Sequence, residues 1–314
     1  MHLPPLERID VTFVSMGSAT YLTSRPLTPK PSAVNLDDLQ KLVQRALPRN
    51  RLRIAQVEPI SGKHLNRLFK VRLLDGSSLL LKSRPPLSIR LLRHEHNQLE
   101  CDARLLQVVS AITSVPVPKV LHLDGEASIP VLGSASGALL MSYVDGLSLA
   151  AASTSLKASA RSCIDRIIGA HIRSLTTVRG TTFGPASAVL EEAASGTFAS
   201  WKAFFLSMME AALRDAEDLL VSIPYSDIRA LLRSHSWSLD ETQFPHLVPI
   251  EAGLPANVLI DKRGETVVAM LGLGNAVFGD PLLASIFNNP SEAFWEGLGW
   301  RRSYTKSENI RMAL

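Results

Sequence analysis

The chain has 314 residues, 46% of them hydrophobic and 20% charged, which is enough to bury a substantial core and excludes general disorder. Lys and Arg number 33 against 29 Asp and Glu, a net charge of +4, and so small an excess argues against a nucleic-acid partner. Cys101 and Cys163 lie far apart with no second Cys or His at ligand spacing, which excludes a disulfide scaffold or zinc site and reads as two inert buried thiols.

The opening MHLPPLERID has no apolar core of a secretory signal, and the most apolar stretches, residues 137–144 and 267–278, are short and interrupted by glycine. A soluble, cytoplasmic protein without membrane partners is therefore expected. Residues 1–34, with SRPLTPKPS, read as an extended arm. Asn35 then caps NLDDLQKLVQRAL, whose Leu36, Leu39, Leu42, Val43 and Leu47 recur at helical spacing behind two first-turn acids. The runs RIAQVEPI, RLFKVRLL and SSLLLKS read as strands. The first two are joined by SGKHLN, and the last two by an Asp75-Gly76 hairpin turn.

A helix is expected over residues 91–110, then a strand within VPVPKVLHLDG and another within GALLMSYVDG. After Gly146 long helices follow, one with the stripe Ile164, Ile167, Ile168, His171, Leu175 and another rich in Trp201, Phe204, Phe205 and Met208. NVLID and TVVAML flank Lys262-Arg263-Gly264 as a late hairpin. The outline is α+β and two-lobed: a strand-rich N-lobe over 35–143 and a helical C-lobe over 144–314.

A strand, a Gly-containing turn, a strand, an Asp-Gly turn and a strand ending in lysine is the order in which kinase-like folds roof a nucleotide. ISGKHLNRLFKVRLLDGSSLLLK follows that order and resembles the aminoglycoside phosphotransferase family, especially its fungal members. The resemblance runs on through RHEHNQLECDARLLQVV and LLMSYVDGLSL to NVLID and FGDP, from about residue 50 to 285. It implies a protein-kinase-like fold, with Ser61 to Asn66, including Gly62, above a triphosphate and Lys82 on its phosphates. Asp102, or Glu95 seven residues earlier, would orient Lys82, and Leu140 to Val144, with Met141 and Tyr143, would be the hinge that meets an adenine.

The catalytic segment departs from the family pattern His-Gly-Asp-x-x-Pro-x-Asn. Here it reads LVPIEAGLPANVLID, then TVVAMLGLGNAVFGDP. Asn257 keeps the position that helps hold magnesium. The catalytic aspartate falls on Ala252 by counting back, or on Glu251 if one inserted residue is allowed. The metal-binding aspartate falls on Gly272, and no carboxylate occurs between Glu265 and Asp280. Magnesium needs hard oxygen ligands, and a lost general base alone typically costs about 10²- to 10⁴-fold, so ordinary kinase chemistry is disfavoured.

The expectation is a phosphotransferase-like fold repurposed as a small-molecule enzyme that does not transfer phosphate. The reaction would be a pericyclic or acid/base-assisted cyclisation in fungal specialised metabolism, on an apolar polyketide or terpenoid, needing no cofactor. Glu251 would be its acid or base, with Asn257 and Lys82 as polar anchors. The alternatives are a phosphotransferase using ATP and magnesium on a small-molecule hydroxyl, and a pseudokinase-type binding protein. On pattern alone Lys82 is also an edge lysine, Glu251 a loop carboxylate, Asn257 a turn residue and His171 a structural histidine.

Overall fold

The structure, a computed structural model, describes residues 34–48, 52–61, 65–86, 88–125, 137–192, 195–299 and 303–314. Apart from Val34 the expected arm lies outside the described residues, as does Gly62. The first helix, α1 (Leu36–Ala46), begins where Asn35 accepts hydrogen bonds from the amides of Asp37 and Asp38, and it buries Leu39, Leu42 and Val43. Strands β1 (Ile54–Pro59), β2 (Arg67–Leu73) and β3 (Ser78–Ser83) follow. Gly76 takes φ +87° in the turn between β2 and β3, where the Asp75 carboxylate accepts from the amide of Ser77.

After a 3₁₀ turn at Arg93–Glu95 come α2 (Gln98–Ile112), β4 (Val120–Asp124) and β5 (Ala138–Ser142). The five strands form one antiparallel sheet in the order β1-β2-β3-β5-β4. Its two faces follow the period of two. Phe69, Val71, Leu79, Leu81 and Leu140 pack with the buried face of α1. Leu139 and Met141 join Leu99, Leu106 and Val109 of α2 in the main core. Leu80 packs against the same core, so Lys82, two residues further on, belongs to the α2 side of the sheet.

The C-terminal part comprises β6 (Leu147–Ser148), α3 (Leu149–Ala152), α4 (Ala158–Thr176), β7 (Gly184–Pro185), α5 (Ala186–Leu190), α6 (Trp201–Asp218) and α7 (Tyr225–His235). It continues through β8 (His246–Pro249), β9 (Val258–Ile260), β10 (Val267–Met270), β11 (Ala276–Gly279), α8 (Glu292–Leu298) and α9 (Lys306–Ala313). Its strands form two small sheets, β10-β9-β6 and β7-β11-β8. Helices α4 and α8 cross at glycines: a Cβ on Gly169 would lie 2.1 Å from the Phe294 carbonyl oxygen, and one on Gly297 1.9 Å from that of Arg166. The rings of Trp201, Phe204 and Phe205 are buried core.

Four details differ from the sequence reading. The helix expected from residue 91 starts at Gln98, because the Glu95 carboxylate closes a separate 3₁₀ turn on the Leu92 amide and Asn97 takes a left-handed φ of +59°. Leu140 to Ser142 still belong to β5, so the crossing between the lobes is confined to residues 143–146. Cys163 is exposed rather than buried. The two-residue strand β6, which pairs with β9, has no signal in the sequence. No helix among the described residues is long and apolar enough to cross a membrane.

Candidate functional site

Lys82 pairs across the sheet with Leu68 and Leu139, which carries its ammonium toward α2. There it forms a close ion pair with Asp102. The pair is largely withdrawn from solvent, with the two side chains 20% and 9% exposed. Of the two acids left open by the sequence, Asp102 takes the lysine. Glu95 is not on α2 at all: its carboxylate accepts from the Leu92 amide at 2.8 Å. Cys101, next to Asp102, is pushed up to about 12 by burial, with the Asp102 charge adding to the effect, so its thiol stays neutral and inert.

At the roof, Ser61 is exposed and Asn66 buried. The Asn66 side-chain amide donates to Gln98 Oε1 at 3.3 Å. Gln98 Nε2 donates in turn to Asn275 Oδ1 in the loop after β10. At the hinge, Tyr143 is half-buried and the Lys70 ammonium stands 4.1 Å above its ring centre. Met141 is buried in the core against α2.

The floor is built by the turn between β8 and β9 and the loop between β10 and β11. Ala252 is fully buried in the core, while Glu251 beside it is half-buried. Asn257 closes a 3₁₀ turn at Pro255–Asn257, and its Nδ2 donates to the Glu251 carbonyl at 3.0 Å. The Asn257 carbonyl accepts from the Leu271 amide at 2.7 Å, which ties the two loops together. Gly272 then takes φ +75°, and a Cβ there would lie 2.5 Å from Asn257 Nδ2. Leu273 is buried in the core, and a Cβ at Gly274 would lie 2.6 Å from Asp102 Oδ1.

The floor residues do not fit the magnesium ion that the fold implies. Asn257 offers one neutral oxygen, its amide nitrogen being bound to the Glu251 carbonyl, and position 272 offers none. Among the described residues there is no group of three or more His, Cys, Asp or Glu able to hold a metal. A cavity of about 340 Å³ between α2 and β4, lined by Glu100, Arg104 and His122 among others, is separate from Lys82 and Asp102. Gln98, Asn275, Gly274 and Lys70 escape a reading of the sequence, since polar and glycine residues carry no periodic signal and Gln98 meets its partner 177 residues away.

A five-stranded roof with a lysine held by a helix acid, set over a loop floor that ends in an asparagine, defines the class as a two-lobed kinase-like fold. The model of the phosphotransferase enzyme family matches residues 56–246, and the chain belongs to that family. The match ends at His246, before Glu251, Asn257 and Gly272. No curated protein matches the sequence.

Among solved structures, the chain is similar to the ternary complex of streptomycin, ATP and APH(2″)-IIa, with 13% identity and TM-score 0.55 over 89% of this chain and 86% of that one. It is also similar to the macrolide 2′-phosphotransferase MphH from Brachybacterium faecium, with 18% identity and TM-score 0.54 over 88% and 87%. A type I macrolide 2′-phosphotransferase gives 13% identity and TM-score 0.53 over 90% of each chain. At these identities the likeness carries the fold.

Proposed function

We propose that this chain keeps the phosphotransferase fold but uses the interlobe cleft for a reaction that transfers no phosphate, a cyclisation of a flexible small molecule. The observation that carries this reading is the Gly272–Asn257 contact. Where phosphoryl transfer needs a carboxylate to hold the metal, the backbone has only a glycine, and the asparagine side chain leans into the space a side chain would occupy. On this reading the motifs of the catalytic segment are degenerate, and Glu251 is the acid left beside the catalytic position.

Ring closure is an isomerisation, so it needs no oxidant, reductant or phosphate donor. A pocket that holds one chain in its folded conformer supplies entropy and orientation. Glu251 takes a proton from one substrate atom and returns it to another, ending in the state in which it began, and Asn257 and Lys82 orient polar groups of the substrate. An apolar polyketide or terpenoid of fungal specialised metabolism is the substrate class this reading favours.

The test is conversion of linear polyketide and terpenoid precursors by the purified protein in EDTA without nucleotide. Ring-closed product, lowered about a hundredfold or more by Glu251→Gln, supports the reading. Binding without turnover would instead indicate a pseudokinase-type binding protein. A second reading, a small-molecule phosphotransferase with Glu251 as base and ATP with magnesium as cosubstrate, is favoured by the intact Lys82–Asp102 pair and by family membership. A thermal shift with ATP and magnesium that is lost in Lys82→Ala distinguishes it.

A further inference from the structure

The cavity of about 340 Å³ between α2 and β4 is lined by Val120, Leu121, His122 and Leu123 in succession. Leu123 packs into the main core and Leu121 into the core beneath α1. Residues from both faces of the sheet thus line it, and the cavity runs along the backbone edge of β4. That edge is the outer one, since β4 pairs only with β5 among the described residues. An open edge is a template for one more strand.

The opposite wall is one stripe of α2, Glu100, Ala103, Arg104 and Gln107. Residues 113–119 join the end of α2 to the start of β4. A Cβ on Gly125, just past the end of β4, would lie 2.9 Å from Glu100 Oε1 near the start of α2, so helix and strand run antiparallel. The charges of the stripe alternate. Arg84 engages Glu100 Oε1, while Oε2, closed off from solvent, has no hydrogen-bond partner among the described residues. A carboxylate oxygen short of a donor is costly, and a small turn of the carboxylate offers it to a cation in the groove. One helical turn on, the exposed Arg104 makes no ion pair among the described residues.

The chain carries a segment with the complementary pattern. Residues 1–33 lie outside the described residues. Within them ERIDVTFV, residues 7–14, alternates Arg8, Asp10 and Thr12 with Ile9, Val11 and Phe13, the period of a strand. Residues two apart on one face of a strand stand about 6.6 Å from each other, and residues four apart on a helix about 6 Å. Arg8 meets Glu100 and Asp10 meets Arg104 only when the segment runs with α2, a direction antiparallel to β4. Its apolar face then turns to the α1 side, where α1 touches β4 and leaves Leu36 55% exposed. Residues 15–33 can span about 60 Å, against about 19 Å for the width of five strands.

We propose that the groove between α2 and the outer edge of β4 is the docking site of the chain's own N-terminal segment, residues 7–14, which adds to β4 as an antiparallel sixth strand with Arg8 on Glu100 and Asp10 on Arg104. The segment thereby clamps the helix that carries Asp102, the partner of Lys82. This docking is independent of the reaction assigned to the cleft.

The test is hydrogen exchange of the full chain, read over residues 98–107 and 120–124. Successive amides of a strand point to opposite edges, so in the variant carrying both Val11→Pro and Thr12→Pro one lost donor faces β4. Exchange of residues 120–124 should become about tenfold faster or more, with the buried core unaltered. Asp10→Arg and Arg104→Asp should each speed exchange about threefold, and the two together should restore the rate of the unaltered chain.

Exchange unchanged in the double proline variant, or a charge-reversed double variant no slower than either single one, overturns the docking. Protection of residues 120–124 that is lost on dilution assigns the added strand to a second copy and equally overturns docking within one chain.

Discussion

Asn257 leans over Gly272, its Nδ2 only 2.5 Å from where a Cβ on that glycine would stand, while the same nitrogen donates to the Glu251 carbonyl at 3.0 Å. These are the two positions at which the family resemblance would expect metal ligands: one is a glycine, and the other's amide is turned to the backbone of the neighbouring loop.

Restoring the carboxylate should therefore be costly. In Gly272→Asp the new Cβ displaces Asn257, breaks its bond to Glu251, and holds a non-glycine residue at φ +75°. The strain and the lost hydrogen bond together predict a destabilisation of about 2–3 kcal/mol. Urea unfolding measures it. Stability equal to that of the unaltered chain would mean that Asn257 swings away freely and that the metal position is still open. With Ala252 buried in the core, the single substitution is not expected to confer phosphate transfer.

The Lys82–Asp102 pair gives a second prediction. Lys82→Met leaves the largely buried Asp102 carboxylate without its cation, a loss of about 3 kcal/mol. Asp102→Leu added to that variant should return most of the lost stability, because two apolar side chains need no mutual charge. Unfolding curves of the four members of the cycle decide it. A double variant as unstable as Lys82→Met would assign the cost to packing rather than to charge.

The C-terminal helix is tied to the turn after β11 by a second buried pair. Arg311 Nε donates to Asp280 Oδ2 at 2.6 Å, and the side chains are 10% and 7% exposed. Asp280 also accepts from the Thr242 hydroxyl and from the Leu282 amide. Arg311→Leu strands this carboxylate and should cost about 3 kcal/mol. Limited proteolysis should then release α9 ahead of the rest of the chain. Unchanged stability and proteolysis would show that α9 is held by other contacts.

His171 sets a pH dependence. Burial holds its imidazole below the usual 6.5, so between the folded and unfolded values the unfolded chain binds a proton that the folded chain does not. The stability contributed by the neutral ring is present above pH 6.5 and is lost as pH falls through the folded value. Unfolding free energies measured from pH 7 down to 5 should decline, and more shallowly in His171→Gln. Parallel curves would place the acid sensitivity elsewhere.

Much of this architecture was legible where local chemistry and periodicity agree. Asn35 with two following acids marked the start of α1, Asp75-Gly76 marked the hairpin, and the strand ending at Lys82 placed the lysine. Glu95 and Asp102 were indistinguishable on spacing alone. What separates them is the left-handed turn at Asn97, a backbone event without a residue pattern of its own. The carboxamide chain was invisible for another reason: an amide pair 177 residues apart in sequence forms only when the roof and the floor loop are brought together. Gly272 could be counted to its position from Gly279, but its contact with Asn257 depends on two loops folding back on one another.

The central claim is tested most directly by incubating the purified chain with magnesium and ATP labelled in the γ-phosphate, in the presence of hydroxylated polyketides, terpenoids and aminoglycosides, and measuring label transferred to acceptor. The account predicts no transfer above that of a Lys82→Ala control. Magnesium-dependent labelling of an acceptor, abolished by Glu251→Gln, would contradict it.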